Sequence, residues 1–103
     1  MAGFKVEFSE LAIESLRKLQ RYIARKLFNP DAAKRQADRI MSACASLSVF
    51  PKMHRIRKID SKGYGLRFFP VDNYIVIYSV DEFVRTVTIM NVIYSRRNLD
   101  AMI

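Results

Sequence analysis

Two amphipathic helical patterns joined by a short break place the strongest constraint on how this chain can fold. The first repeats apolar residues at steps of three and four, at Ala12, Leu16, Leu19, Ile23 and Leu27. The second continues in the same way, at Ala33, Ala37, Ile40, Cys44 and Leu47. Each predicted helix is therefore apolar along one side only. Two such helices so close in sequence favour an antiparallel hairpin, and the hairpin needs an apolar surface to lie on.

Capping residues mark the predicted helix ends. Ser9 suits the N-cap of the first helix, and the acidic residue after it suits the positive end of the helix dipole. In "FNPDAA", Asn29 can cap the second helix, while Pro30 fits its first position. The stretch "FPK" then ends the second helix at Pro51. The break between the helices is thus only a few residues long.

The remaining segments supply the surface that the hairpin needs. Phe4, Val6 and Phe8 alternate with polar residues, which is typical of a half-buried strand. After the helices come four β-rich runs, "HRIRKI", "YGLRFFPV", "NYIVIYSV" and "VRTVTIMNVIY", separated by short turns. The last two runs are apolar at both parities, which predicts central strands. We expect one α+β domain over residues 1–103, of order β-α-α-β-β-β-β, with the N-terminal helical hairpin packed on one face of a twisted, mainly antiparallel sheet.

Charge narrows the class of partner. The chain carries 18 Lys+Arg against 10 Asp+Glu, a formal net charge of +8 on 103 residues, which favours RNA, DNA or an acidic protein as partner. The single cysteine cannot form an internal disulfide, and "MAGFKVEFSE" has no apolar signal core. The longest apolar run is too short to span a bilayer. The sequence therefore predicts a cytoplasmic protein that does not enter the membrane.

Few residues are suited to metal or thiol chemistry. One His and one Cys cannot form the clusters that zinc sites use, so we predict no metal and no cofactor. Cys44 lies on the apolar stripe of the second helix, where a free cysteine behaves as a small hydrophobe. His54 lies among four cationic residues that disfavour its charged form, and we expect an exposed histidine with no catalytic role.

Arginine is the candidate functional residue. Arg67 lies inside a strand between apolar residues, and an arginine in that setting requires an anion or a carboxylate. By strand parity Arg96 shares a face with Tyr94. If these three converge on the open face of the sheet, they could cleave RNA without metal, so Arg67, Tyr94 and Arg96 are the predicted catalytic residues. The predicted nucleic-acid-binding residues are Lys52, Arg55, Arg57, Lys58 and Arg97.

Several segments together resemble a known family. They are "FS" after the first strand, "YIA", "NPDAA", "LSVFP", "LR", "NYIVIYSVD" and the terminal "VIYSRRN". In this order they resemble the RelE/ParE superfamily of toxins from bacterial type II toxin–antitoxin modules, over nearly the whole chain. The resemblance implies a growth-arresting toxin with a cognate antitoxin as its partner.

The resemblance leaves the mechanism open. RelE-like members cleave messenger RNA on the ribosome, whereas ParE-like members inhibit DNA gyrase. Ile75 stands where ribonuclease members commonly have an arginine, and Tyr94 stands where many have a histidine, although Arg96 and Arg97 match their paired arginines. The basic stretch "KMHRIRK" favours ribosome-dependent mRNA cleavage. Gyrase inhibition is the alternative, followed by a non-toxic relative that binds only nucleic acid or antitoxin.

Overall fold

The computed structural model describes residues 3–95, and these form two helices and five strands. The elements are β1 (Lys5–Phe8), α1 (Glu10–Leu27), α2 (Pro30–Ser46), β2 (Ile56–Ile59), β3 (Gly65–Val71), β4 (Tyr74–Asp81) and β5 (Thr86–Tyr94). The predicted order and the α+β class are confirmed. Of the predicted site residues, Arg96 and Arg97 lie outside the described part of the chain.

All five strands form one sheet in the order β1-β5-β4-β3-β2. Strands β2 to β5 pair antiparallel in sequence order, as the closely spaced runs predict. Strand β1 joins the far edge by pairing parallel to β5, and the helical hairpin makes the crossover. Strand β4 is therefore central, and its two ends lie at opposite ends of the molecule.

Both predicted N-caps are present. Ser9 Oγ accepts the Ala12 N–H at 3.0 Å and donates to the carbonyl of Met90 at 2.8 Å, so it caps α1 and fixes the start of that helix to β5. Asn29 Oδ1 accepts the Ala32 N–H at 3.1 Å at the start of α2. Within residues 3–95, no helix is long and apolar enough to cross a bilayer.

The main core lies between the helices and one face of the sheet. The apolar stripe predicted for α2 is buried in full, at Ala33, Ala37, Ile40, Cys44 and Leu47. Opposite it lie Val76 and Tyr78 of β4 and Val87 and Ile89 of β5, all of them buried. Burial raises the pKa of the Cys44 thiol to about 12, so Cys44 is a neutral core side chain at physiological pH.

The face of the sheet turned away from α1 and α2, called the open face below, carries a second apolar cluster. Its buried residues are Leu66, Phe68, Ile75, Ile77 and Ile93, with Met90 packed against them. Three adjacent strands contribute to this cluster, so the centre of the open face is apolar.

Candidate functional site

Arg67 lies on the helix-facing side of β3 and supports a loop. It pairs in register with the fully buried Tyr78 of β4, which belongs to the main core. The Arg67 guanidinium donates a hydrogen bond from Nη1 to the backbone carbonyl of His54 at 2.8 Å. A backbone carbonyl thus takes the place of the anion that the sequence led us to expect, and Arg67 holds the loop between α2 and β2 against the sheet.

Tyr94 also lies on the helix-facing side, at the end of β5. It pairs in register with Tyr74, and the two rings meet edge to face with their centroids 5.6 Å apart. Burial, with smaller contributions from Tyr94 and Tyr22, raises the pKa of Tyr74. A phenol with a raised pKa is a poorer general base at neutral pH. The surroundings of Tyr74 therefore do not favour a general base at that position.

The structure does not bring Arg67 and Tyr94 together. Their register partners on β4 are four residues apart, about 13 Å along the strand, and β4 itself lies between the two side chains. Both side chains also face the helices, whereas we expected them on the open face. The expected convergence on the open face is therefore wrong for these two residues. Their catalytic roles, and that of Arg96, stay predictions.

Four of the five predicted nucleic-acid-binding cations lie within residues 3–95: Lys52 and Arg55 in the α2–β2 loop, and Arg57 and Lys58 in the edge strand β2. Lys52 forms an ion pair with Glu82 of the β4–β5 hairpin, and Arg55 is exposed. The Arg57 guanidinium lies over the ring of Phe68, 5.2 Å from its centroid. Lys58 pairs in register with Leu66, which places Lys58 on the open face. Arg57 and Lys58 therefore form a cationic rim beside the apolar centre.

His54 is half-buried rather than exposed, which corrects the expectation from the sequence. Its ring stacks on Phe69 at a centroid distance of 4.1 Å. Burial lowers the pKa of His54. The cause is desolvation of the charged imidazolium, whereas we expected repulsion by the neighbouring cations. Among the residues that the structure describes, His54 Nε2 is buried and has no hydrogen-bond partner. His54 is therefore part of the packing under the α2–β2 loop.

A cleft that was not predicted from the sequence lies between the helical hairpin, the start of β4 and the end of β5. It has a volume of about 1320 Å³. Its lining combines cations with tyrosines: Lys18, Lys26, Arg35, Arg39, Tyr22, Tyr74 and Tyr94. The cations that line the cleft, Lys18 and Lys26 on α1 and Arg35 and Arg39 on α2, were given no role in the prediction from the sequence.

A polar cluster closes one end of this cleft. Arg39 Nε donates to Asp72 Oδ2 at 2.8 Å, and Gln36 Nε2 donates to the same oxygen at 2.9 Å. These hydrogen bonds lower the pKa of Asp72, and the one from Arg39 has the larger effect. Asp72 itself has a positive φ of 54° in the β3–β4 turn. The contacts from α2 therefore hold this turn at the mouth of the cleft.

A helical hairpin on one face of a five-stranded sheet, with a parallel first strand at its edge, in a small basic chain, defines the class of RelE/ParE toxins. The family described as "ParE toxin of type II toxin-antitoxin system, parDE" matches residues 6–99. The chain belongs to this family and is the toxin component of a type II toxin–antitoxin system. The superfamily that the sequence resembles is thus confirmed.

Solved structures support the fold. The chromosomal ParDE toxin–antitoxin system of P. aeruginosa matches with a TM-score of 0.72 at 13% identity, over 88% of this chain and 95% of that one. The archaeal RelE–RelB complex of Pyrococcus horikoshii OT3 matches with a TM-score of 0.64 at 18% identity, over 93% of this chain and 99% of that one. The RelBE2 toxin–antitoxin complex of Mycobacterium tuberculosis matches with a TM-score of 0.60 at 21% identity, over 91% of this chain and 93% of that one. A search of curated proteins gave no significant match.

Proposed function

We propose that this toxin arrests growth as a ParE-type inhibitor of DNA gyrase, by binding the enzyme rather than by cutting RNA. The observation that carries the proposal is the apolar centre of the open face. Ile75 and Ile77 of the central strand lie there, with Leu66 and Phe68 beside them. These four side chains are each at most 9% exposed and carry no polar atoms, so the centre of this face offers a phosphate neither accessible surface nor hydrogen-bond donors.

The chemistry of metal-free RNA cleavage is the second support. That reaction needs a positioned general base and cationic donors aimed at the phosphate, and acid–base catalysis alone contributes about 10²–10⁴-fold in rate. Arg67 is already engaged by the carbonyl of His54, on the other side of the sheet from the cationic rim. A toxin that acts by binding a protein needs none of these groups.

We also propose that a cognate antitoxin neutralises the toxin, as in the toxin–antitoxin complexes whose folds this chain shares. The cleft between the hairpin and the sheet suits an acidic amphipathic segment. Its cations would face the acidic side chains, and its tyrosines the apolar ones. The cytoplasm, where gyrase acts, is then the compartment in which toxin and antitoxin meet.

The mRNA cleavage that the sequence favoured has one supporting observation, the cationic rim formed by Arg57 and Lys58. The two mechanisms are separated by testing the purified toxin in two assays. One assay measures supercoiling of relaxed plasmid by DNA gyrase, and the other measures message cleavage in a translating extract by primer extension. We expect loss of supercoiling with intact message. Ribosome-dependent message cleavage with normal supercoiling would contradict the proposal.

The variant Arg57→Ala sharpens this comparison. It removes a rim cation whose guanidinium lies over Phe68 at the surface, so we expect the fold to be kept. Gyrase inhibition should then be unchanged. If the rim instead held RNA, this variant would weaken message cleavage and reduce its dependence on salt.

A further inference from the structure

Five apolar side chains are exposed together at the end of the molecule where β4 runs into β5. Val49, Phe50 and Met53 come from the α2–β2 loop, and Phe83 and Val84 from the β4–β5 hairpin. Phe83 is 99% exposed and the other four are between 56% and 63% exposed. We call these five residues the apolar pole. Exposed apolar patches of this kind mark interaction sites more often than single exposed residues do.

Hydrogen bonds from backbone N–H groups to the Asp81 carboxylate hold the β4–β5 hairpin in a defined shape. Asp81 Oδ1 accepts the N–H of Phe83 at 2.9 Å and that of Val84 at 3.3 Å. Arg85 has a positive φ of 50°, its carbonyl accepts the Lys5 N–H at 2.9 Å, and its guanidinium lies over the ring of Phe4. Phe83 is thus presented on a turn that is already ordered, and little further conformational freedom is lost on binding.

The loop half of the pole is fixed to the same part of the sheet. The Met53 N–H donates to the carbonyl of Phe50 at 3.3 Å, and the Phe4 N–H donates to the carbonyl of Ser48 at 2.8 Å. The ion pair between Lys52 and Glu82 then ties this loop to the hairpin. The loop and the hairpin that carry the two halves of the pole therefore lie side by side.

Two cations near the pole are paired with acidic side chains of the same chain. Lys52 pairs with Glu82, and Lys5 Nζ lies 2.9 Å from Glu7 Oε1. The cleft at the other end of β4 has the opposite character, because cations line it on both helices. The pole therefore suits an apolar protein surface better than a polyanion, whereas the cleft suits an acidic partner.

The size of the pole favours a different protein over a second copy of this chain. Five side chains exposed to this degree present on the order of 600 Å². Obligate homodimers bury about 1,000 Å² or more from each protomer, whereas complexes between different proteins typically bury about 800 Å² from each partner, so the area of the pole is closer to the second kind of interface. It is large enough for the aromatic anchors that dominate binding between different proteins.

We propose that the apolar pole is the surface through which the toxin binds its protein target, with Phe83 inserted into an apolar pocket of that target. The inference rests on the proposed function, under which the target is DNA gyrase. Phe50 and Met53 widen the contact around Phe83. The hairpin and the loop act together because the ion pair between Lys52 and Glu82 joins them.

The test compares Phe83→Ser with a matched control, Phe28→Ser. Phe28 is 92% exposed, but it lies at the α1–α2 turn, outside the pole. Gyrase binding is measured by surface plasmon resonance, and growth arrest is measured after induction from a tightly repressed promoter. We expect Phe83→Ser to weaken gyrase binding at least tenfold and to abolish growth arrest, while Phe28→Ser behaves as the parent protein. Equal loss in both variants, or none in Phe83→Ser, would overturn the proposal.

Two further measurements keep the outcomes distinct. Circular dichroism and thermal melting show whether Phe83→Ser is folded, and Asp81→Ala loosens the hairpin without removing the ring, so it should weaken binding less than Phe83→Ser. If the parent protein arrests growth without binding gyrase, the proposed function is wrong. The growth assay then tests the pole by itself: loss of growth arrest in Phe83→Ser alone supports it as a target-binding surface, and full growth arrest by Phe83→Ser contradicts it. If the parent is a dimer by light scattering and Phe83→Ser a monomer, the pole is a self-association surface and the proposal is wrong.

Discussion

Replacing Cys44 by serine tests the placement of the main core. The thiol is fully buried in the apolar layer between α2 and the sheet, with Ile40 and Leu47 in the same cluster. Serine has nearly the same shape but adds a hydroxyl group. Burying that group without a partner costs about 1–3 kcal/mol in protein mutational data, and a bond to the carbonyl one turn earlier recovers part of this. We therefore expect the free energy of unfolding to fall by about 2 kcal/mol.

Two matched variants separate the polar cost from other effects. Cys44→Ala removes one buried heavy atom without adding a polar group and should cost about 1 kcal/mol. Ala45→Ser adds a hydroxyl group at the next position, which is exposed, and should cost about 0.5 kcal/mol through helix propensity alone. The expected order of stability is therefore Ala45→Ser, then Cys44→Ala, then Cys44→Ser.

Urea unfolding followed by circular dichroism measures these differences. A loss of about 2 kcal/mol corresponds to a fall in Tm of about 8–16 °C for a domain of this size. Target binding by folded Cys44→Ser should be unchanged, because the thiol is fully buried and no partner can touch it. A loss below about 0.5 kcal/mol, or a greater loss in Cys44→Ala than in Cys44→Ser, would refute the placement of residue 44 in an apolar core.

Three further changes probe other contacts. Ser9→Ala removes both the N-cap of α1 and the hydrogen bond to the carbonyl of Met90, so urea unfolding should show a loss of about 1–2 kcal/mol. Because burial lowers the pKa of His54, the unfolded chain binds more protons below about pH 6.5. Stability should fall between pH 7.5 and pH 5.5, and His54→Gln should flatten that dependence. Tyr78→Phe removes a buried hydroxyl whose neighbour is the backbone of His54, so it should cost at most the roughly 1 kcal/mol of a hydrogen-bonded tyrosine in urea unfolding.

The sequence was sufficient for the elements and their order because local signals agree with the fold. Ser9 and Asn29 each bond the N–H three residues on, as capping residues do. The stripe on α2 is buried without exception, since a period of 3.6 residues identifies one side of a helix directly. The central position of β4 likewise follows from a run that is apolar at both parities.

The face on which Arg67 lies could not be predicted in the same way. Its strand, "GLRFFPV", is apolar at both parities around the arginine, so alternation alone does not say which face meets the helices. The helices make few contacts with β3. At Arg67 the strand is covered by the α2–β2 loop, which supplies the carbonyl of His54 as the hydrogen-bond acceptor. That contact joins residues 13 positions apart through a loop without periodicity. Hydrophobic periodicity does not predict such a contact between a strand and a loop.

The positions of the cleft and the apolar pole set a condition on how an antitoxin can act. The cleft lies at the start of β4, near Tyr74, and the pole lies at its end, beyond Asp81. Seven residues of strand separate them, about 23 Å. An antitoxin segment docked in the cleft reaches the pole only if it continues for about seven extended residues or about 15 helical ones. A truncated antitoxin that fills the cleft alone should therefore bind the toxin and still leave Phe83 free to engage the target, whereas a longer one should block it.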